Sequence, residues 1–186
     1  MPKLGGILET ALYSDDLARA RRFYEGMLEL KPIFADDRLC AYGVADRSVL
    51  LLFRRGTTED TVTMPGGTIP GHDGSGRLHV AFAVGAEELG VWEERLMEQN
   101  IAIEGRTDWP RGGRSIYFRD PDGHLLELAT PGLWSVLRLA LARHRDIAAR
   151  GLRPRQLAVR GLHPREAARH LSREGRNLLR RHIDVQ

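Results

Sequence analysis

The stretch Ser115-Ile116-Tyr117-Phe118-Arg119-Asp120-Pro121-Asp122-Gly123-His124-Leu125-Leu126-Glu127 decides how this chain is read. Asp-Pro-Asp-Gly is a tight-turn sequence, and the apolar runs on either side of it have strand composition. The stretch therefore predicts strand, turn, strand. The second strand places Glu127 between Leu126 and Leu128. A carboxylate in that setting must face water or be compensated by a cation.

Working outward, the pattern around this hairpin occurs twice. Residues 7–14 read as a strand, and Ser14 or Asp15 can cap a helix running to about residue 29. Strand candidates follow at 31–36, 39–45 and 48–54, the clearest being Val49-Leu50-Leu51-Leu52-Phe53. Residues 55–76 are rich in Gly, Thr, Pro and Asp and read as a long functional loop or linker. The second round begins with a strand at 78–84 and a helix at about 86–99. It ends with strands at 102–107, 114–119 and 125–130. The prediction is an α+β fold with two βαβββ modules, at about 7–54 and 78–131, in a domain covering residues 1–132.

Alternation along the strands sorts the ionisable residues. Glu9 shares a face with Ile7, Ala11 and Tyr13. His79 shares one with Ala81 and Ala83, and Glu127 with Leu125 and Ala129. The opposite faces carry bulky residues and suit packing under the helices. Faces that combine ligand types with small neighbours suit a cavity wall. Two carboxylates and an imidazole in one cavity are unfavourable without a cation, and a divalent ion brings their formal charge to zero.

Composition bounds the rest. The chain has 186 residues, is 42% hydrophobic and has a formal net charge of +3. The lone Cys40 excludes an internal disulfide framework and a cysteine-cluster zinc site, and it suits a reducing cytosol. Neither a signal peptide nor an apolar run of membrane-spanning length is visible, so the expected location is cytoplasmic. The charge is unevenly distributed. From Leu133 onward there are 13 arginines against 4 acidic residues, a net of +9, which leaves residues 1–132 at −6. The segment 133–186 reads as a helical, basic extension. Arg150-Gly151-Leu152-Arg153-Pro154-Arg155 is echoed by Arg160-Gly161-Leu162-His163-Pro164-Arg165. Docking on the acidic domain or on a dimer partner explains this asymmetry. Nucleic-acid binding through the extension is the less favoured alternative, because base-stacking aromatics are not interleaved with the arginines.

The order Tyr117-Phe118-x-Asp120-Pro121-Asp122-Gly123-His124-x-x-Glu127 resembles the vicinal oxygen chelate superfamily, and within it the fosfomycin-resistance branch. That superfamily includes glyoxalase I, extradiol dioxygenases and the bleomycin-resistance proteins. The resemblance covers about residues 7–131. It implies paired βαβββ modules forming a cupped mixed sheet, assembly as a homodimer, and one divalent metal ion (Zn, Ni, Mn, Fe or Co). The positions it assigns to the metal are Glu9, His79 and Glu127. It implies a glyoxalase-like protein acting on vicinal oxygens of a small substrate, of lyase or isomerase type, with the metal stabilising an enediolate or oxyanion. Glu127 or Glu9 would be the base. Tyr117 and His72 are further catalytic candidates. The alternatives are a metal-free sequestering protein of the bleomycin-resistance type, a fosfomycin-type transferase, or a dioxygenase. Two positions depart from the pattern. Glu9 stands where the metal enzymes usually carry His or Gln, and Val49–Phe53 offers no fourth ligand of the glyoxalase I kind. The loop Asp108–Arg114 does not reproduce the potassium-binding loop of the fosfomycin transferases.

Overall fold

The computed structural model of the chain describes residues 1–134. The first module contains β1 (Glu9–Ser14), α1 (Leu17–Gly26), β2 (Pro32–Ala35), β3 (Leu39–Val44) and β4 (Ser48–Arg54). They form a four-stranded sheet in the order β1-β4-β3-β2. β1 lies parallel to β4, whereas β2–β3 and β3–β4 are antiparallel. A parallel pair requires a crossover, and α1 provides the start of it. β1 begins two residues later than the apolar pattern predicts, although the Leu8 carbonyl still accepts a bond from the Val49 amide at 2.9 Å. The cap of α1 also falls one or two residues later than expected. Asp16 accepts from the Arg19 amide at 2.9 Å, because Ser14 and Asp15 are held by the second module.

A short hairpin, β5 (Val62–Met64) and β6 (Gly67–Ile69), interrupts the long connection, which composition alone presents as a plain loop. The second module then repeats the plan with β7 (His79–Ala83), α2 (Leu89–Glu98), β8 (Gly105–Asp108), β9 (Arg114–Arg119) and β10 (Leu125–Ala129). Its sheet order is β7-β10-β9-β8, with β7 and β10 parallel. The expected α+β repeat is thus present as two mixed sheets. β8 starts at Gly105, not at 102, since residues 102–104 make too few ladder bonds to extend it. The helical reading of the basic extension lies, from residue 135 on, outside the described residues.

One apolar core serves both modules. Leu12, Tyr24, Tyr42, Leu50 and Leu52 from the first module pack in the same cluster as Leu89, Leu96, Phe118, Leu126 and Leu128 from the second. Phe23 stands 6.5 Å from Phe118, centroid to centroid, across the boundary. Removing such a side chain to Ala costs about 2–5 kcal/mol.

The Asp-Pro-Asp-Gly turn fastens the modules together. Asp120 is buried and accepts from the Asp122 amide at 3.0 Å and the His124 amide at 2.8 Å. Its other oxygen accepts from Tyr24 Oη and pairs with His124 Nδ1, both at 2.8 Å. Asp122 reaches the start of the first module. It accepts from Ser14 Oγ at 2.6 Å, the Asp15 amide at 3.1 Å and the Arg19 guanidinium at 3.0 Å. Gly123 has φ = 83°, a left-handed conformation that glycine adopts without strain, so the turn needs Gly there. Both carboxylates of the motif therefore act across the module boundary.

Candidate metal centre

The register of β9 and β10 determines what Glu127 faces. Glu127 is paired with Tyr117 on one side and with Ala81 on the other, while Leu125 is paired with His79. Side chains of registered neighbours share a face, so His79, Glu127 and Tyr117 project from the same side of the sheet. Leu126 and Leu128 project from the other side into the core, at 0% and 1% exposure. The hairpin thus places a carboxylate on one face by anchoring its neighbours to the other.

On that face His79 Nε2 stands 3.2 Å from Glu127 Oε2. The other ring nitrogen, Nδ1, lies 3.1 Å from the carbonyl of Leu125. A carbonyl can only accept, so Nδ1 carries the hydrogen. In the neutral imidazole this leaves a lone pair on Nε2, directed toward a carboxylate oxygen. Two acceptors at that distance attract only with a proton or a cation between them. An imidazole fixed through Nδ1 to a backbone carbonyl is also the usual support of a metal-ligating histidine. Tyr117 Oη donates to the second oxygen, Glu127 Oε1, at 3.1 Å. Burial and the bond to Glu127 push the Tyr117 phenol above its ordinary value, so the hydroxyl stays protonated and remains a donor. Glu127 is almost wholly buried, whereas the His79 side chain is about half exposed, 6% against 48%. This mismatch puts the open side of the pair at the imidazole.

Glu9 is not brought to this pair. It occupies the exposed first residue of β1, and among the described residues no group of three or more His, Cys, Asp or Glu side chains lies close enough to hold a metal ion. Of the three residues that the resemblance assigns to a metal, the chain therefore brings together only His79 and Glu127. β1 and β7 each have a single neighbour and leave an edge open, and Ile7 and Leu8 beside Glu9 are 78% and 73% exposed.

His72 is also located elsewhere. Its Nδ1 lies 2.6 Å from Tyr13 Oη, and its ring packs edge-on against Phe53 at 5.0 Å between centroids. Thr58 Oγ1 donates to the His72 carbonyl, and the His72 amide donates to the Thr58 carbonyl at 2.7 Å. Burial first, and the nearby Asp73 second, raise the Tyr13 phenol above its usual range. Tyr13 shares its strand face with Glu9, so His72 covers the face of the first module that Glu9 also belongs to. The Tyr13 contribution could have been noticed from that alternation. The roles of Asp120, Asp122 and Tyr24 could not, because nothing local in sequence links residues 14–24 to 120–124.

Comparison with known proteins agrees with this architecture. Residues 6–128 match the model of the Glyoxalase/Bleomycin resistance protein/Dioxygenase superfamily. The chain belongs to that superfamily. It is 28% identical over 116 residues to the metallothiol transferase FosB of Staphylococcus saprophyticus, which spans 62% of this chain and 70% of that protein. The lactoylglutathione lyase of Agrobacterium tumefaciens superposes with a TM-score of 0.66 at 31% identity, covering 72% of this chain and 99% of that one. The fosfomycin resistance protein FosX of Listeria monocytogenes shares the fold, with a TM-score of 0.52 at 20% identity over 70% of this chain and 97% of that one.

Proposed function

We propose that the chain is a metal-dependent enzyme of the glyoxalase superfamily, acting on adjacent oxygens of a small molecule. The observation that carries this is the His79–Glu127 pair, an imidazole nitrogen and a carboxylate oxygen 3.2 Å apart, with the other ring nitrogen 3.1 Å from the Leu125 carbonyl. His79 and Glu127 would hold the ion, with Glu9 supplied by a second copy of the chain. The exposed Glu9, the open edges of β1 and β7, and the exposed Ile7 and Leu8 support a dimer that joins the two modules of different copies. A divalent ion there supplies Lewis-acid stabilisation of negative charge developing on a substrate oxygen. The donor set of carboxylate and imidazole suits Mn, Fe, Co, Ni or Zn.

The residues of the chain divide the remaining work. Tyr117 orients Glu127 by donating to Oε1, so Oε2 is the oxygen left for the ion. Glu9 enters from a solvated strand end and is the carboxylate free to take a proton. His72, held by Tyr13, screens the same face from water and is a second acid/base group. The FosB relatives carry the name metallothiol transferase, and the structural relative is a lyase. Both names fit small-molecule chemistry at such a centre.

The test is a Mn²⁺ titration of the purified chain, with Glu127→Ala and Glu9→Gln alongside. The expected result is about one ion per chain for the wild type, loss of binding in Glu127→Ala and weakening in Glu9→Gln. Wild-type protein that takes up no ion, or binding unchanged in Glu127→Ala, sinks the proposal and leaves a metal-free binding protein.

A further inference from the structure

The face of the second sheet that carries His79 and Glu127 continues across β9 to β8. Tyr117 is registered opposite Glu127 on one side and Gly105 on the other, and Ser115 is registered opposite Thr107. Registered neighbours share a face, and alternation brings Trp109, two residues beyond Thr107, onto it as well. Glycine opposite Tyr117 lets the ring lie close over β8, where a Cβ at Gly105 would meet Tyr117 Cδ2 at 3.5 Å.

Trp109 opens the turn between β8 and β9. Its amide donates to the Gly113 carbonyl at 2.7 Å, and its carbonyl accepts from the Gly112 amide at 2.8 Å. The turn lies against the segment that leaves β10, since a Cβ at Gly113 would come within 2.5 Å of the Leu133 amide nitrogen. From this turn the indole Nε1 donates to Ser115 Oγ at 2.9 Å. Ser115 is buried, at 1% exposure. An indole nitrogen only donates, so Ser115 is the acceptor and keeps its own hydrogen for another partner. That partner is the Tyr117 oxygen. Burial raises the Tyr117 phenol, Ser115 lowers it, Glu127 raises it and Thr107 lowers it. A neighbouring hydroxyl lowers a phenol by donating to its oxygen. Tyr117 in turn donates to Glu127 Oε1 at 3.1 Å. The hydrogens of this row all point from Trp109 toward the carboxylate, and bonds aligned head to tail polarise and strengthen one another.

We propose that Trp109 is a positioning residue of the His79–Glu127 centre. Through Ser115 and Tyr117 it fixes Glu127 Oε1 as an acceptor and leaves Oε2, which faces His79 Nε2, for the ion. This rests on the metal-dependent reading above. Removing the indole N–H frees the Ser115 hydroxyl to turn, takes a polarised donor from Tyr117 and loosens the carboxylate at the far end of the row.

The experiment measures Mn²⁺ affinity of the full chain by calorimetry in wild type, Trp109→Phe, Ser115→Ala, Tyr117→Phe and the double variant Trp109→Phe/Tyr117→Phe. Trp109→Phe and Ser115→Ala should each bind about threefold to tenfold more weakly than wild type. The double variant should bind no more weakly than Tyr117→Phe alone, because Phe at 117 already severs the row; independent effects would multiply. A second readout needs no metal. The indole N–H resonance of Trp109, identified by its loss in Trp109→Phe, should shift in Ser115→Ala and also in Tyr117→Phe. Unchanged Mn²⁺ affinity in both Trp109→Phe and Ser115→Ala, multiplying effects in the double variant, or an indole resonance indifferent to Tyr117→Phe overturns the proposal and leaves the metal reading standing. Failure of the wild type to take up Mn²⁺ overturns both.

Discussion

At the scale of single residues, two carboxylates of one hairpin do opposite work. Glu127 is buried beside the Tyr117 phenol, and its second oxygen faces His79 Nε2 at 3.2 Å. Asp120 is buried with four hydrogen-bond donors and needs nothing further. Burial alone would raise the Asp120 carboxyl, but the bonds from His124 and Tyr24 outweigh it and hold it below the usual carboxylate range. A depressed folded-state value contributes stability that is present above the unfolded value of about 3.9 and lost as pH falls through the folded one. Unfolding monitored by circular dichroism should therefore show a stability loss below about pH 4 that is reduced in Asp120→Asn. That variant should also be about 3 kcal/mol less stable at neutral pH, since it leaves a buried imidazole without its acceptor. For Glu127 the expected behaviour differs. Tyr117→Phe should keep the fold and weaken Mn²⁺ binding about tenfold, as loss of a supporting hydrogen bond does. Unaltered affinity in Tyr117→Phe would show that the phenol plays no part in orienting the ligand.

At the scale of elements, what could be read in sequence follows from how local the cause is. The strands 39–45, 48–54 and 114–119 are short apolar runs bounded by turn residues, and the structure has strands there. The shared face of His79 and Glu127 follows from strict alternation around a turn of fixed register. The connection 55–76 was legible only as long and turn-rich, because its order comes from distant contacts. Arg55 holds it with bonds to the Gly74 carbonyl at 3.1 Å, to Asp15 at 2.7 Å and to the Tyr13 carbonyl at 3.3 Å. Two glycines let it lie flat. A Cβ at Gly74 would come within 2.5 Å of the Tyr13 ring, and one at Gly71 within 1.8 Å of the Glu59 carbonyl oxygen. Gly74→Ala should force the loop off Tyr13, at a cost of about 1–3 kcal/mol. Hydrogen exchange should then show faster exchange at the His72 amide and an unchanged rate for the core strands β3, β4 and β10.

At the scale of the whole molecule, the two βαβββ units share one core on their bulky faces and leave the first strand of each sheet at an open edge. That arrangement separates Glu9 from His79 and Glu127 within a chain, which no reading of strand faces could reveal, since faces say nothing about which sheets meet. The superfamily model matches residues 6–128, so residues 133–186 lie beyond the matched fold. A chain ending at Gly132 should accordingly unfold in a single cooperative transition by calorimetry, and failure to fold would show that the extension is part of the domain. The central claim is that one ion is held by His79 and Glu127 of one copy and by Glu9 of another. Its most direct measurement is a crystal structure of the Mn²⁺-soaked protein with diffraction recorded at the manganese absorption edge. The account predicts an anomalous peak about 2.0–2.2 Å from His79 Nε2 and a Glu127 oxygen, with Glu9 of a second copy completing the set. A wild-type structure with no peak at the His79–Glu127 pair, or with a peak there and Glu9 of every copy remote from it, would contradict it.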